Sequence, residues 1–123
     1  MAERPGGSTQ RAGQDGERAA CRHLEQHGLQ LLARNYRSPF GEIDLVMREG
    51  TELVFVEVRR RRSARFGTPA ETVGADKQYR LRATAEHYLQ HQPRGSQNPC
   101  RFDIVAITGE GHESRIEWLR NAF

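Results

Sequence analysis

Four consecutive apolar residues, Leu53-Val54-Phe55-Val56, sit inside the stretch "ELVFVEV". Side chains alternate across a strand, so an apolar run with no polar face belongs inside a sheet covered on both sides. That requirement predicts layers above and below a sheet, and the flanking sequence supplies them. "EIDLVM" and "ELVFVEV", joined by "REGT" with its Gly50, read as a hairpin. "LQLLARNYR" reads as a strand before it, closed by the turn-formers Ser38, Pro39 and Gly41. "RFDIVAI" and "RIEWL" read as two strands after it, separated by the turn "GEGHE".

Two helices complete the pattern. Thr9 to His27 carries a stripe of Ala12, Ala19, Ala20, Cys21 and Leu24 and stops at Gly28. Asp76 to His91 places Tyr79, Ala83, Ala85, Tyr88 and Leu89 inward and Arg80, Arg82 and Glu86 outward, ending before Pro93 and Gly95. Between hairpin and second helix, "RRRRSARFGTPAETVGA" reads as a loop. The expected fold is α/β in the order αβββαββ, a mixed central sheet of about five strands flanked by helices. Residues 1–9 read as a flexible tail and 10–123 as a single domain.

Composition excludes several classes. A chain of 123 residues, 36% hydrophobic and 28% charged, fits one globular domain. No stretch is long and apolar enough for a membrane span or a secretory signal, and the two cysteines make a reduced, cytoplasmic setting the expectation. Cys21 and Cys100 make neither a disulfide framework nor a zinc knuckle. The net charge of +3 is mild, yet 18 of the 19 basic residues are arginine, leaving Lys77 as the one lysine. Arginine suits bidentate contact with phosphate.

Glu42, Asp44 and Glu57 stand at the edges of the hydrophobic runs, where a carboxylate is costly without a cation. Glu42 and Asp44 share one face of their strand, as Phe55, Glu57 and Arg59 do of theirs. A hairpin turning about Glu49 and Gly50 sets Asp44 opposite Phe55 and diagonal to Glu57, a gap of roughly 7–8 Å that one ion can bridge. Oxygen donors favour a hard divalent ion, Mg2+ or Mn2+. The plainer alternative is ion pairing with the neighbouring arginines.

Asp44, twelve intervening residues, then Glu57-Val58-Arg59 resembles the D…(D/E)xK signature of restriction-endonuclease-like nucleases. "GEIDLV", "LVFVEVR", "FGTPAETV" and "RFDIVAI", in this order, resemble the YraN-like family of small bacterial proteins, considered related to archaeal Holliday junction resolvases. The resemblance runs from about Gly13 to Leu119. It implies a restriction-endonuclease-like fold and a metal-dependent nuclease, with Asp44 and Glu57 as metal ligands and the Val58 carbonyl as a third. Glu17, on the first helix, falls where resolvase relatives place an additional acid. The family motif has lysine where this chain has Arg59; arginine stabilises charge on phosphorus but cannot act as a base. Lys77, at the start of the second helix, is the residue to supply what Arg59 lacks, with Gln78 a lesser candidate. The resemblance further implies a branched or single-strand-containing substrate, DNA rather than RNA, and a homodimer cutting two strands.

Arg59, Arg60, Arg61, Arg62 and Arg65 form a basic run beside the acids, suited to tracking a nucleic-acid backbone, and Phe66 beside it to base stacking. Strand alternation sends Arg59 and Arg61 one way and Arg60 and Arg62 the other. The bland alternative is a solvated strand end that resists self-association. "HLEQH" at 23–27 departs from a zinc-protease helix because Glu25 does not directly follow the first histidine. His87 and His91 suit a helix end, and Trp118 suits the core. Two functions remain: a metal-dependent nuclease, or a nucleic-acid-binding module in which Arg59 marks a degenerate nuclease site.

Overall fold

The computed structural model describes residues 7–61, 73–92, 98–109 and 114–123, with side chains from residue 15 onward. Its elements run α1 (Gly7–Gln26), β1 (Gln30–Ser38), β2 (Gly41–Glu49), β3 (Glu52–Arg61), α2 (Ala75–Gln90), β4 (Cys100–Thr108) and β5 (Arg115–Leu119). The order is αβββαββ, as the sequence predicts. The sheet follows chain order from β1 to β5, antiparallel except for the parallel β3–β4 pair on either side of α2.

The apolar run fills the middle of this sheet. Phe55 faces the α2 layer with Val46, Leu81, Ala85, Tyr88, Phe102 and Ile104. Val54 and Val56 face the α1 layer with Ala20, Cys21, Leu24, Leu45, Met47 and Val105. Tyr36, Tyr88, Phe55, Phe102 and Phe123 form a chain of ring contacts beneath α2, with centroids 5.0–5.9 Å apart.

α1 closes at Gly28, whose φ of +94° suits glycine. The Leu29 amide donates to the Leu24 carbonyl at 3.1 Å and that of Gly28 to Glu25 at 3.0 Å, while both leucines are buried. This is a Schellman end sealed by its apolar contact. Cys21 and Cys100 are free thiols. No helix among the described residues is long and apolar enough to cross a membrane.

Four local expectations need correction. α1 begins at Gly7, so residues 7–9 are helical, while residues 1–6 lie outside the described residues. Arg59–Arg61 continue β3 instead of opening a loop, because Ala106, Ile107 and Thr108 of β4 offer them a ladder. The β2–β3 hairpin turns at Gly50–Thr51, pairing Glu49 with Glu52 and Val46 with Phe55. Gly50 takes φ +60° there. On α2, Tyr79 points outward at 71% exposure, and the inward stripe is Leu81, Thr84, Ala85, Tyr88 and Leu89. At about 100° per residue, a helix that buries Leu81 and Tyr88 has to turn Tyr79 to solvent.

β5 and the C-terminus are fastened by Asp103, which is 0% exposed. Its carboxylate accepts from Arg101 Nε at 3.0 Å, Trp118 Nε1 at 2.9 Å and the Asn121 amide at 2.9 Å. Arg101 also reaches Glu49 at 2.8 Å and Glu52 at 2.6 Å, so the hairpin turn joins the same network. Removing one partner of such a buried set leaves the others uncompensated. Asp103→Ala is expected to cost about 3–5 kcal/mol in urea unfolding, whereas a loss under about 1 kcal/mol would show that the network is dispensable.

Candidate functional site

Antiparallel pairing between β2 and β3 runs from Glu49–Glu52 to Leu45–Val56 and stops, although both strands continue. Continuing that register sets Asp44 level with Glu57, not diagonal to it. Where the ladder ends, the Val58 N–H has no carbonyl from β2, and Asp44 Oδ2 accepts it at 2.8 Å. The aspartate thus takes the place of a ladder bond and is drawn into the protein.

Asp44 and Glu57 line one cleft of about 290 Å³ with Gly41, Glu42, Lys77, Arg80 and Leu81. Glu57 is only 6% exposed. Lys77 Nζ, from the first turn of α2, lies 2.8 Å from Glu57 Oε1, and Arg59 Nη1 lies 3.7 Å from the same oxygen. Glu42, at the cleft's outer edge, pairs with Arg37 at 3.4 Å.

Burial pushes the Asp44 carboxyl up from the ordinary 3.8 to about 7; the Glu57 charge adds to the rise and the Val58 N–H opposes it. Burial also raises the Glu17 carboxyl, a hydrogen bond from Asn35 opposes this, and the charges of Glu42 and Glu57 reinforce it. Glu17 of α1 therefore feels the same acidic cluster. Asn35, which holds it, adopts φ +50°, a conformation asparagine tolerates better than most residues. Sequence reasoning missed Asn35, Arg80 and Leu81 as neighbours of the site; the "RNY" asparagine inside a strand was the one available signal.

Of the other expected site residues, Gln78, Arg60 and Arg61 fall among the described ones. Gln78 donates its side-chain amide to the Val73 carbonyl at 3.0 Å, serving the start of α2. The Arg60 stem runs alongside Gly16 of α1, where a Cβ would lie 3.8 Å from it, so Arg60 faces the opposite layer from Arg59. Arg61 Nε reaches Thr108 Oγ1 at 3.4 Å. Arg62, Arg65 and Phe66 lie outside the described residues.

The histidine pairs have local partners. His27 packs edge-on against Trp118 at 5.6 Å and its Nδ1 bonds the His23 carbonyl at 2.8 Å. His87 stacks on His91 at 4.2 Å and hydrogen-bonds the Tyr36 hydroxyl. Among the described residues, no three His, Cys, Asp or Glu side chains form a ready-made metal cage.

These features define a small α/β protein whose paired carboxylates and cations share a cleft where two central strands part. The chain belongs to the Uncharacterised protein family UPF0102, whose model matches residues 16–107. It is 49% identical to a UPF0102 protein of Pseudomonas fluorescens over 95% of this chain and 96% of that one. It is 53% identical to a UPF0102 protein of Nitrosomonas europaea over 90% and 92% of the two chains. A UPF0102 protein of Shewanella amazonensis is 52% identical over 90% and 97%.

The raised Asp44 value fixes a sign. The folded state holds this proton more tightly than the unfolded chain, so the stabilisation is full below about pH 4 and is lost as pH rises through about 7. In chelator, Asp44 should withdraw about 2–4 kcal/mol across that window. Urea midpoints at successive pH values should therefore fall less steeply for Asp44→Asn than for the wild type; parallel curves would show that Asp44 is not the titrating group.

Proposed function

We propose that this protein is a divalent-ion-dependent phosphodiester hydrolase acting on nucleic acid, DNA in preference to RNA, in the cytoplasm. The observation that carries the reading is the placing of Asp44 and Glu57 in one cleft, with Asp44 pushed up to about 7. Two carboxylates crowded in a half-buried cleft repel each other, and a divalent cation relieves that repulsion directly.

The donor set fits such an ion. It is all oxygen, and hard ions commonly take one or two carboxylates and fill the remaining positions with water and phosphate. Asp44 and Glu57 would hold Mg2+ or Mn2+, with the Val58 carbonyl and Glu17 as further oxygen donors. Bound there, the ion would supply Lewis-acid polarisation of the phosphodiester and a more acidic water.

The remaining roles belong to the chain itself. Lys77, at 2.8 Å from Glu57, and Arg59, at 3.7 Å, bring positive charge to the place where negative charge grows on phosphorus. Arg59 contributes charge and hydrogen bonds but no base. Its compact ammonium carries three donors on a flexible stem, so Lys77 is assigned the role of orienting the attacking water or stabilising the charge that follows. Arg80, on the cleft wall, contacts the phosphate backbone.

A second reading rests on a specific observation: Glu57 already has Lys77 and Arg59 as counter-charges. With that pairing retained, the cleft is an anion-binding surface and the protein a non-hydrolytic nucleic-acid module.

Branched and linear DNA incubated with Mn2+ separates the two. Hydrolysis is expected with the wild type, and Asp44→Ala should lose at least about a hundredfold, the scale of removing a group that acts only in the reaction. Arg59→Lys should retain or increase it. Binding without cleavage by both wild type and Arg59→Lys would instead establish the module. Light scattering in the same buffers tests the homodimer, expected as twice the mass of the 14.0 kDa chain.

A further inference from the structure

Phe40 occupies the turn between β1 and β2 and is 51% exposed. Isolated exposed apolar residues are common and usually mean nothing. Phe40 differs in how firmly its backbone is anchored and in what it stands beside. Its amide donates to Ser38 Oγ at 3.1 Å. Ser38 Oγ in turn hydrogen-bonds Thr84 Oγ1 of α2 at 2.9 Å, and that buried threonine donates to the Arg80 carbonyl at 2.8 Å.

The next residue, Gly41, presses on the same part of α2. A Cβ there would meet Thr84 Oγ1 at 3.5 Å and the Arg80 Cβ at 3.6 Å. The turn is therefore stapled to the helix that carries Lys77 and Arg80, and the ring is presented from a fixed base. Gly41 and Glu42, immediately after it, line the cleft that holds Asp44 and Glu57. Arg37, three residues before it, has a side chain 80% exposed.

We propose that Phe40 is a base-stacking platform at the mouth of this cleft, so the substrate carries an unpaired nucleotide beside the phosphate that enters it. The proposal rests on the nucleic-acid reading of the cleft and adds the substrate class to it. An aromatic ring stacks on a base only where the base is not already stacked and paired, which excludes an intact duplex at that position. With the turn's backbone already anchored, only the ring's own rotamers remain to be ordered when a base docks on it. Arg80, and Arg37 once drawn from its 3.4 Å pair with Glu42, provide positive charge for the backbone phosphates on either side. Single strands, flaps and gapped or forked duplexes all offer such a nucleotide, in DNA or RNA.

The full chain, in EDTA so that binding is read without cleavage, is titrated into DNA and RNA oligonucleotides carrying a fluorescent adenine analogue. Each is tested as a single strand and as a perfect duplex. The wild type should bind the single strand more tightly and quench the analogue by stacking. Phe40→Ala should weaken single-strand binding by about 5- to 100-fold, the loss of one stacked base, and abolish the quench. Duplex binding should stay unchanged, and Phe40→Trp should restore both signals.

Equal single-strand affinity for Phe40→Ala and wild type overturns the stacking role while leaving the nucleic-acid reading intact. An equal loss on single strand and duplex overturns it too, because that is the mark of a damaged surface. A wild type that binds neither form overturns both the platform and the reading beneath it.

Discussion

The cleft depends on one interruption in backbone hydrogen bonding. β3 is paired with β4 along nine positions, Leu53 to Arg61, but with β2 only as far as Val56. One side of β3 beyond Val56 must find other partners, and the Asp44 carboxylate supplies one to the Val58 N–H. That bond carries the carboxylate inward, next to Glu57. The burial and the repulsion that raise Asp44 follow from it, as does the value of having Lys77 and Arg59 close by. The continuous β3–β4 ladder and the two apolar layers hold the backbone still while this unfavourable arrangement is maintained.

A second buried acid shows how differently the same sheet can treat a carboxylate. Asp103 is fully buried and surrounded by donors: the Arg101 guanidinium, the Trp118 indole and the Asn121 amide. Burial works against the charge on Arg101, and its hydrogen bonds to Asp103, Glu49 and Glu52 outweigh that and hold the guanidinium above its ordinary value. Such a carboxylate has its oxygens committed and works as a fastener. Asp44 has a backbone donor on one oxygen and faces a cleft lined by another acid. Of the two, Asp44 is the acid with coordinating capacity to spare, and that difference follows from donor geometry rather than depth of burial.

The sequence made the sheet legible because its signals were local and redundant. Leu53–Val56 demanded a doubly covered strand, Gly50 marked the hairpin, and the breakers after His91 closed α2. The hairpin register was misjudged, since Gly50 can occupy either position of a tight turn. Moving the turn from Glu49–Gly50 to Gly50–Thr51 changes each partner by two residues, which preserves the face. Asp44 therefore exchanged Phe55 for Glu57 without leaving its side of the sheet. α2 was harder: Tyr79 and Leu81 are both apolar, and only packing against Ile43, Val46 and Phe102 decides which turns inward. Two of the donors to Asp103, Trp118 and Asn121, lie fifteen and eighteen residues away in the chain, and no periodicity reports such a contact.

Arg59 is where local pattern and three-dimensional arrangement diverge most. Read along the strand, an arginine two residues past Glu57 stands where the resembled motif has lysine. In space, the ammonium nearest Glu57 arrives from another element, since Lys77 projects from the first turn of α2 to 2.8 Å while Arg59 stands at 3.7 Å. On the proposed reading, the two tasks of one motif lysine are divided. A planar guanidinium on the strand steadies the phosphoryl oxygens, and a compact ammonium on the helix attends the water. Such a division ties the chemistry to the position of α2. The Ser38–Thr84 hydrogen bond ties the β1–β2 turn to this helix. A shift of α2 along the sheet would move Lys77 away from Glu57 while leaving Asp44, Glu57 and Arg59 on their strands.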